Sequence, residues 1–519
     1  MHLSAIDFTV VAIYAICLLF IAQWVSREKS GHQKDTKDYF LAGKALPWWA
    51  IGASLIAANI SAEQIIGMSG QGFVVGMAIA SYELMAAITL VIVGKYLLPV
   101  FLKHEIYTMP QFLEQRYDSR VRTVLAVFWL GVYVFVNLTA ILWLGALAIN
   151  TVTGLELNYA IVLLAMFAAA YSLYGGLKAV ALTDIIQVVL LVLGGLLIAW
   201  ISMDKVSGGQ GALTGFGMVL DQVPEKFDMI LAKDHPSYMN LPGISVLVGG
   251  MWIMNLSYWG FNQYIIQRAL AAKNSREAQK GIIFAAFLKI LMPVLVVLPG
   301  IAAVILTPDL AAPDQAYPEV MKLLPVGIKG LVFAALIAAI VSSLASMMNS
   351  ISTIFTMDIV AHLRQRSEQQ LVTVGRMTSM TALVIAVLVA RPLLGNLPSA
   401  FQYIQEFTGF FTPGIVAIFL LAFFWKATTA NGALIAAVGS FVFSLICYFG
   451  WTTLPFMDRM GLAFIVALLL GMLVSRLEGK GEHPNAIDYA AVDTSTSRGF
   501  NWATLVIILM LTGLYATWW

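Results

Sequence analysis

The sequence breaks into about fourteen stretches that each stay apolar for close to twenty residues, the length a helix needs to cross the hydrocarbon of a bilayer. They fall at roughly 6–25, 48–74, 78–101, 121–149, 158–175, 181–202, 243–267, 278–307, 327–361, 371–390, 400–424, 429–451, 460–475 and 501–518. Hydrocarbon holds no water to take up backbone N–H and C=O groups, so these stretches must close their hydrogen bonds internally, as helices. The expectation is an all-α polytopic membrane protein, one transmembrane domain over residues 1–519. A chain that is 60% hydrophobic and 11% charged is no soluble globule. Ile6 to Val25 has neither a basic n-region nor a small-residue cleavage site ahead of Arg27, and reads as a retained helix rather than a signal peptide. Cys17 and Cys447 lie in separate apolar stretches and read as two buried structural thiols, not as a disulfide or metal framework.

The net charge of +2 says little, because placement matters more than balance. Basic residues cluster in every second loop: Arg27, Lys29, Lys34, Lys37 and Lys44; Lys103, Arg116, Arg120 and Arg122; Arg268, Lys273, Arg276 and Lys280; Arg364, Arg366 and Arg376; Arg476 and Lys480. The positive-inside rule makes these loops cytoplasmic. Both termini then lie outside, which an even number of crossings requires. The outer loop at 203–241, rich in Gly, Asp and Pro, reads as a surface cap or short helices. No nucleic-acid patch, nucleotide-binding loop or nucleophile elbow is present, which argues against ATP-driven transport and against an enzyme.

Several polar residues sit where a lipid-facing helix cannot hold them. In ASLIAANISAEQIIGMSG (Ala53 to Gly70), Asn59, Ser61, Glu63 and Gln64 fall within six residues. Unpartnered, each would cost on the order of several kcal/mol in hydrocarbon, so this helix faces a cavity or is broken. Asn255, Ser257, Tyr258, Trp259, Asn262 and Gln263 interrupt another span and suggest a second break. Glu83 is either an interfacial carboxyl or a functional one. Lys289, deep in FAAFLKILMPVL, either snorkels or meets a carboxylate, with Glu83 the candidate. Asp184 is either a helix N-terminal acid or part of a cation path. Ser342, Ser343 and Ser346 either bond back along their helix or offer hydroxyls to a cation. Gln405 can face the same cavity, with Glu406 interfacial, and Pro413 and Gly414 are expected to kink that span.

The stretches YSLYGGLKAVALTDIIQ (Tyr171 to Gln187), ANISAEQIIGMSGQGF (Ala58 to Phe73), NLSYWGFNQYIIQRAL (Asn255 to Leu270), AAIVSSLASMMNSISTIFTMDI (Ala338 to Ile359) and FQYIQEFTGFFTPGI (Phe401 to Ile415) resemble the sodium/solute symporter family. Within it they are similar to the bacterial sodium/galactose, or sodium/glucose-type, branch. The first is like the family signature; the joint presence of Gln64, Glu83, Asn255, Lys289 and Gln405 is the more specific likeness.

The resemblance implies a leucine-transporter-like fold of two five-helix inverted repeats, at 48–202 and 243–424, with an extra N-terminal helix at 6–25 and extra C-terminal helices over 429–518. It implies sodium as coupling ion, with no other cofactor, held by the carbonyls of Ala57, Ile60 and Ala339 and the hydroxyls of Ser342 and Ser343. Sugar would meet Asn59, Gln64, Glu83, Asn255, Lys289 and Gln405. Tyr258 would stack on the pyranose and close the inner side, and Met68, Tyr82 and Phe401 would form the outer lid. Ala86 departs from the serine of the branch, and Ala345 lacks a hydroxyl that relatives with a second sodium near the Asp184 position carry. The expected activity is import of a neutral hexose across a bacterial inner membrane, one sodium per sugar, with no obligate protein partner and no nucleic acid. A same-family symporter of sialic acid, an inositol or an amino acid is the alternative.

Overall fold

A computed structural model describes residues 3–25, 41, 44–172, 176–363, 365–395 and 399–519. Arg27, Lys29, Lys34, Lys37 and Arg364 lie outside them, as do the side chains of 172–183 within the signature stretch. The architecture is helical; the one β-bridge among the described residues joins Leu46 to Ala272.

In chain order the main helices are α1 (Ala5–Val25), α2 (Trp48–Asn59), α3 (Glu63–Val74), α4 (Met77–Lys103), α5 (Ser119–Thr153), α6 (Leu157–Ser172), α7 (Gly176–Val206), α8 (Ala212–Gln222), α9 (Gly250–Leu256), α10 (Gln263–Leu270), α11 (Ser275–Leu306), α12 (Ile328–Leu363), α13 (Glu368–Leu394), α14 (Ala400–Gly409), α15 (Thr412–Phe424), α16 (Ala430–Gly450), α17 (Phe456–Glu478) and α18 (Arg498–Thr517). Among the described residues nine helices are long and apolar enough to cross a membrane, and two bent pairs, α2–α3 and α14–α15, reach that length and apolarity only when each pair is taken together. Local chemistry fixes several ends. Asp118 accepts from the backbone N–H groups of Arg120 and Val121 and starts α5. Gly154, at φ 76°, takes the left-handed turn that ends it.

The expected breaks are present. The chain turns by 59° between α2 and α3, and by 46° between α14 and α15. The second bend falls at Phe410 and Phe411, ahead of Pro413. Pro413 sits in the first turn of α15, where its missing N–H forgoes no helical bond. The polar span near 257–262 runs as a π-helical turn, Ser257–Phe261, and stops at Asn262, whose extended backbone (φ −84°, ψ 121°) separates α9 from α10.

Packing places α2 between α7, α11 and α12. Two glycines permit the closest approach: a Cβ on Gly52 would lie 2.7 Å from the Gly281 carbonyl, and one on Gly281 2.8 Å from the Trp48 carbonyl. The segment at 203–241 is the expected cap. Its Lys226 Nζ donates to the Phe73 and Val74 carbonyls, at 3.0 and 2.7 Å, and satisfies the end of α3.

Three expectations are corrected. Arg116 and Arg122 are buried, not loop charges. Arg116 donates to the carbonyls of Ala422, Trp425, Lys426 and Thr428 and so caps α15, while Arg122 pairs with Asp358 and Glu114. Arg268 is likewise buried, on α10. Cys17 is exposed, because α1 packs on the bundle by its other face; Cys447 is buried and both thiols are free.

Asp7 on α1 is fully buried and accepts from the N–H groups of Gly327 and Gly330, at 2.7 and 2.9 Å, where α12 begins. It thereby caps α12 from a different helix. Asp7→Ala leaves those donors unpaired in a dry site, and should cost roughly 1–3 kcal/mol. A melting temperature in detergent equal to that of the wild type would exclude this role.

Asp314, in the loop ahead of α12 and outside the spans, is 4% exposed. Its Oδ2 accepts from Ala400 N–H at 3.2 Å, at the start of α14, while its Oδ1 has no partner among the described residues. Burial pushes its carboxyl up to about 7 against the Ala400 bond that lowers it. A raised carboxyl favours the protonated fold, so stability is full in acid and falls as pH rises from about 4 to about 7, by roughly 1.4 kcal/mol per unit. Asp314→Asn removes that slope. Its melting temperature should gain on the wild type between pH 5 and pH 8; a constant difference refutes the assignment.

Candidate functional site

The site is built on the break between α2 and α3. Ile60 leaves the helix (φ −71°, ψ 71°) and its N–H still reaches the Ile56 carbonyl at 2.6 Å. A broken helix frees carbonyls that need new donors. Ser343 Oγ on α12 donates to the Ala58 carbonyl at 3.0 Å and lies 3.4 Å from that of Ala57. Tyr264 OH donates to Ala58 at 3.4 Å. Beyond the break, Ser61 Oγ accepts from Glu63 N–H and donates to Gln64 Oε1, both at 3.2 Å.

A cavity opens beside α3, lined by polar groups and by rings. At its wall Lys289 Nζ donates to Glu83 and to Asn59, an ion pair buried to 1% and 3% exposure. The ammonium also stands 5.0 Å from the Trp259 ring. Asn59 Nδ2 passes the chain on to Tyr258 OH at 3.0 Å, and Tyr258 OH meets Tyr264 OH. Asn255 Nδ2 bonds back to the Met251 carbonyl at 3.1 Å, so the amide faces the cavity with no donor spent on another side chain. Gln405 Nε2, from α14, donates to Glu63 Oε1 at 2.9 Å. The structure thus brings Asn59, Gln64, Glu83, Asn255, Tyr258 and Gln405 to one cavity, from α2, α3, α4, α14 and the π-helical turn with α9, and Lys289 of α11 stands behind them on Glu83.

Rings stand at two ends of the cavity. Tyr82 and Phe401 meet edge to face with centroids 5.5 Å apart, Met68 and Phe401 are each 1% exposed, and Phe401 Cβ would lie 2.9 Å from a Cβ on Gly67. At the other end Tyr258 is held by Asn59 and Tyr264.

Below the break the serine face of α12 meets α2 and α7. Ala339, Ser342 and Ser343 are fully buried, as are Ala57 and, to 2% exposure, Ile60. Oxygens of carbonyls and hydroxyls are the donor set a hard monovalent cation takes, and Ser343 stands against the Ala57 and Ala58 carbonyls. Among the described residues no three His, Cys, Asp or Glu side chains converge as a transition-metal site would need.

Ser342 turns its proton elsewhere, donating to Asp184 Oδ1, while Ser54 Oγ donates to Oδ2 at 2.5 Å. Asp184 is therefore no N-terminal acid: it lies inside α7, fully buried, one hydroxyl away from the serine face. Arg268 completes the group, donating to Ser54 Oγ at 2.8 Å, to the Tyr264 carbonyl at 2.6 Å and to Ser346 Oγ.

Sequence reasoning left out Glu63, Ser54, Tyr264 and Arg268. Glu63 was conspicuous but had no assigned contact. Arg268 was hidden by its neighbours Lys273, Arg276 and Lys280, which make a run that reads as a loop.

Comparisons with known proteins place the chain in a family. The sodium:solute symporter family model matches residues 39–439. A sodium/glucose cotransporter of Vibrio parahaemolyticus is 52% identical over 541 aligned positions, covering all of this chain and 99% of the relative. The human sodium/myo-inositol cotransporter 2 is 34% identical over 85% of this chain and 69% of its own. Among solved structures, a sodium-coupled sialic acid symporter in a substrate-bound outward-open state superposes with a TM-score of 0.79 at 23% identity, over 91% of this chain and 98% of the other, a likeness of fold. On these matches across its length, the chain belongs to the sodium:solute symporter family.

Proposed function

We propose that this symporter imports a neutral hexose of the glucose–galactose class, one sodium per sugar, across a bacterial inner membrane. The observation that carries the reading is the buried Lys289–Glu83 pair, held by Asn59 at the end of a helix whose freed carbonyls meet Ser343. A hexose hydroxyl both donates and accepts, so its site needs mixed polarity; the amides of Asn59, Gln64, Asn255 and Gln405 supply both, and the Tyr258 ring covers the apolar C–H face. Lys289 is spent on Glu83, so a carboxylated solute such as sialic acid meets no free cation among the described residues that line the cavity. The 52% identity to the Vibrio sodium/glucose cotransporter supports the same class. The myo-inositol relatives support a second reading, a cyclic polyol with similar hydroxyls.

In this reading fourteen spans, with both termini outside, contain two inverted five-helix repeats at 48–202 and 243–424. Sodium binds the carbonyls of Ala57, Ile60 and Ala339 and the hydroxyls of Ser342 and Ser343, and draws α2 against α12. That contact sets Asn59 and Gln64 for the sugar. The lid of Met68, Tyr82 and Phe401 shuts, the repeats rock, and Tyr258 swings to open the inner exit, with Asp184 on the sodium path. Because each ligand favours the state that the other needs, each tightens the other. A tenfold sodium gradient supplies about 1.4 kcal/mol and a potential of about 100 mV roughly 2.3, enough together to concentrate a neutral sugar on the order of several hundredfold.

Proteoliposomes loaded with the protein should take up labelled glucose or galactose only with sodium outside, and carry inward current as they do so. Uptake that survives replacement of sodium by choline would sink the proposal, and displacement by myo-inositol in preference to either hexose would favour the polyol. Gln64→Ala should raise the sugar half-saturation constant about tenfold, the worth of one or two hydrogen bonds. Ser343→Ala should raise the sodium requirement more than the sugar constant measured at saturating sodium; equal shifts would place Ser343 outside the cation site.

A further inference from the structure

The charges that face the cavity do not balance. Glu63 and Glu83 both line it, and among the described residues no Lys, Arg or His stands with them on its surface. Lys289, just behind the wall, is committed to Glu83 and Asn59. Glu63 has no cation within ion-pair distance among the described residues, and its side chain is 94% buried, at 6% relative exposure. Gln405 Nε2 occupies one of its oxygens at 2.9 Å, no side-chain donor among the described residues takes the other, and the residue lines the cavity. An ionised carboxylate taken out of water is unfavourable without a partner, and the partner it prefers is a charged donor.

We propose that Glu63 is a specificity-determining residue that gives this site a preference for hexoses bearing a protonated amine, the 2-amino-2-deoxyhexoses, whose ammonium takes the free Glu63 oxygen. The inference rests on the hexose reading above and deepens it. The amides and the Tyr258 ring recognise the sugar skeleton; the second carboxylate adds a demand for positive charge that a neutral hexose leaves unmet. An acidic sugar fails the same test from the other side: its carboxylate would be a third negative group beside Glu63 and Glu83, with Lys289 the one ammonium near them among the described residues. An ammonium is compact and carries three donors, which suits a single open carboxylate oxygen beside amides. The order of binding follows: amino-hexose ahead of hexose, and uronic acid last.

The experiment is competition against sodium-driven uptake of labelled glucose or galactose in proteoliposomes, at pH 6.5, where a sugar amine is mostly protonated. The competitors are glucosamine and galactosamine, the neutral hexoses, and glucuronate. Glucosamine or galactosamine should inhibit at lower concentration than the parent hexose, and glucuronate should not compete. In Glu63→Gln the inhibition constant of the amino sugar, taken relative to its parent hexose, should worsen about tenfold, and raising the pH to 8.5 should weaken the amino sugar in the wild type alone. Should Glu63→Gln fold but fail to transport, the same ratio is read from sugar-induced changes in tryptophan fluorescence of the purified protein, with Trp259 beside Lys289 as reporter. A ratio that is the same in wild type and Glu63→Gln overturns the role of Glu63. If no neutral hexose competes at all, the sugar reading itself fails, and the two failures are distinct.

Discussion

Everything at the centre of this protein depends on how a helix can be broken inside a membrane. The chain leaves α-helical geometry at Ile60 and coils again from Glu63, first as a π-helical stretch to Met68, with backbone carbonyls left open at the break. Donors must come from neighbouring helices, and they come from two: Ser343 on α12 and Tyr264 on α10 both reach Ala58. The break is thus stable only while three helices stay in register. A binding site made this way is also a joint, since whatever shifts α12 or α10 changes the partners of the same carbonyls.

The charges are placed by the same rule. Lys289, Glu83, Asp184 and Arg268 are all buried, and each reaches a partner of opposite charge or a hydroxyl. Breaking such a set by removing one member is costly, whereas the intact set is close to neutral in stability. Their value lies in orientation. Lys289 fixes Asn59, Asn59 fixes Tyr258, and Tyr258 meets Tyr264, which returns to the broken helix at Ala58. The wall of the cavity, the Tyr258–Tyr264 pair and the break therefore belong to one hydrogen-bonded circuit.

Much of this was legible in the sequence, because hydrocarbon makes polar residues conspicuous. Asn59, Gln64 and Lys289 stand out from apolar surroundings, and the partnership of Lys289 with Glu83 followed from the need of a buried ammonium for a carboxylate. What was not legible has a physical reason too. Arg116, Arg122 and Arg268 sit at the ends of spans, where a charge looks equally at home in a loop; only the fold reveals that one caps α15 and another faces Asp184. Pro413 suggested a kink at its own position, yet a proline in the first turn starts a helix rather than bending one, and the bend falls earlier. Contacts such as Gln405 to Glu63 join residues 342 positions apart, and no local pattern encodes them.

Ser342 has a single proton and gives it to Asp184. Its oxygen is left with lone pairs facing away from the carboxylate, and a hydroxyl that donates to an anion is itself a stronger acceptor on its far side. A cation that settles on that oxygen feels part of the Asp184 charge without touching it. On the proposed sodium site, the serine would stand as a spacer between ion and carboxylate, passing on attraction without the tight hold of direct contact with a buried carboxylate. Arg268, reaching the other side of Asp184 through Ser54, tempers the same field. A transporter must release what it binds, and on the proposed sodium site that one intervening hydroxyl would temper how tightly the ion is held.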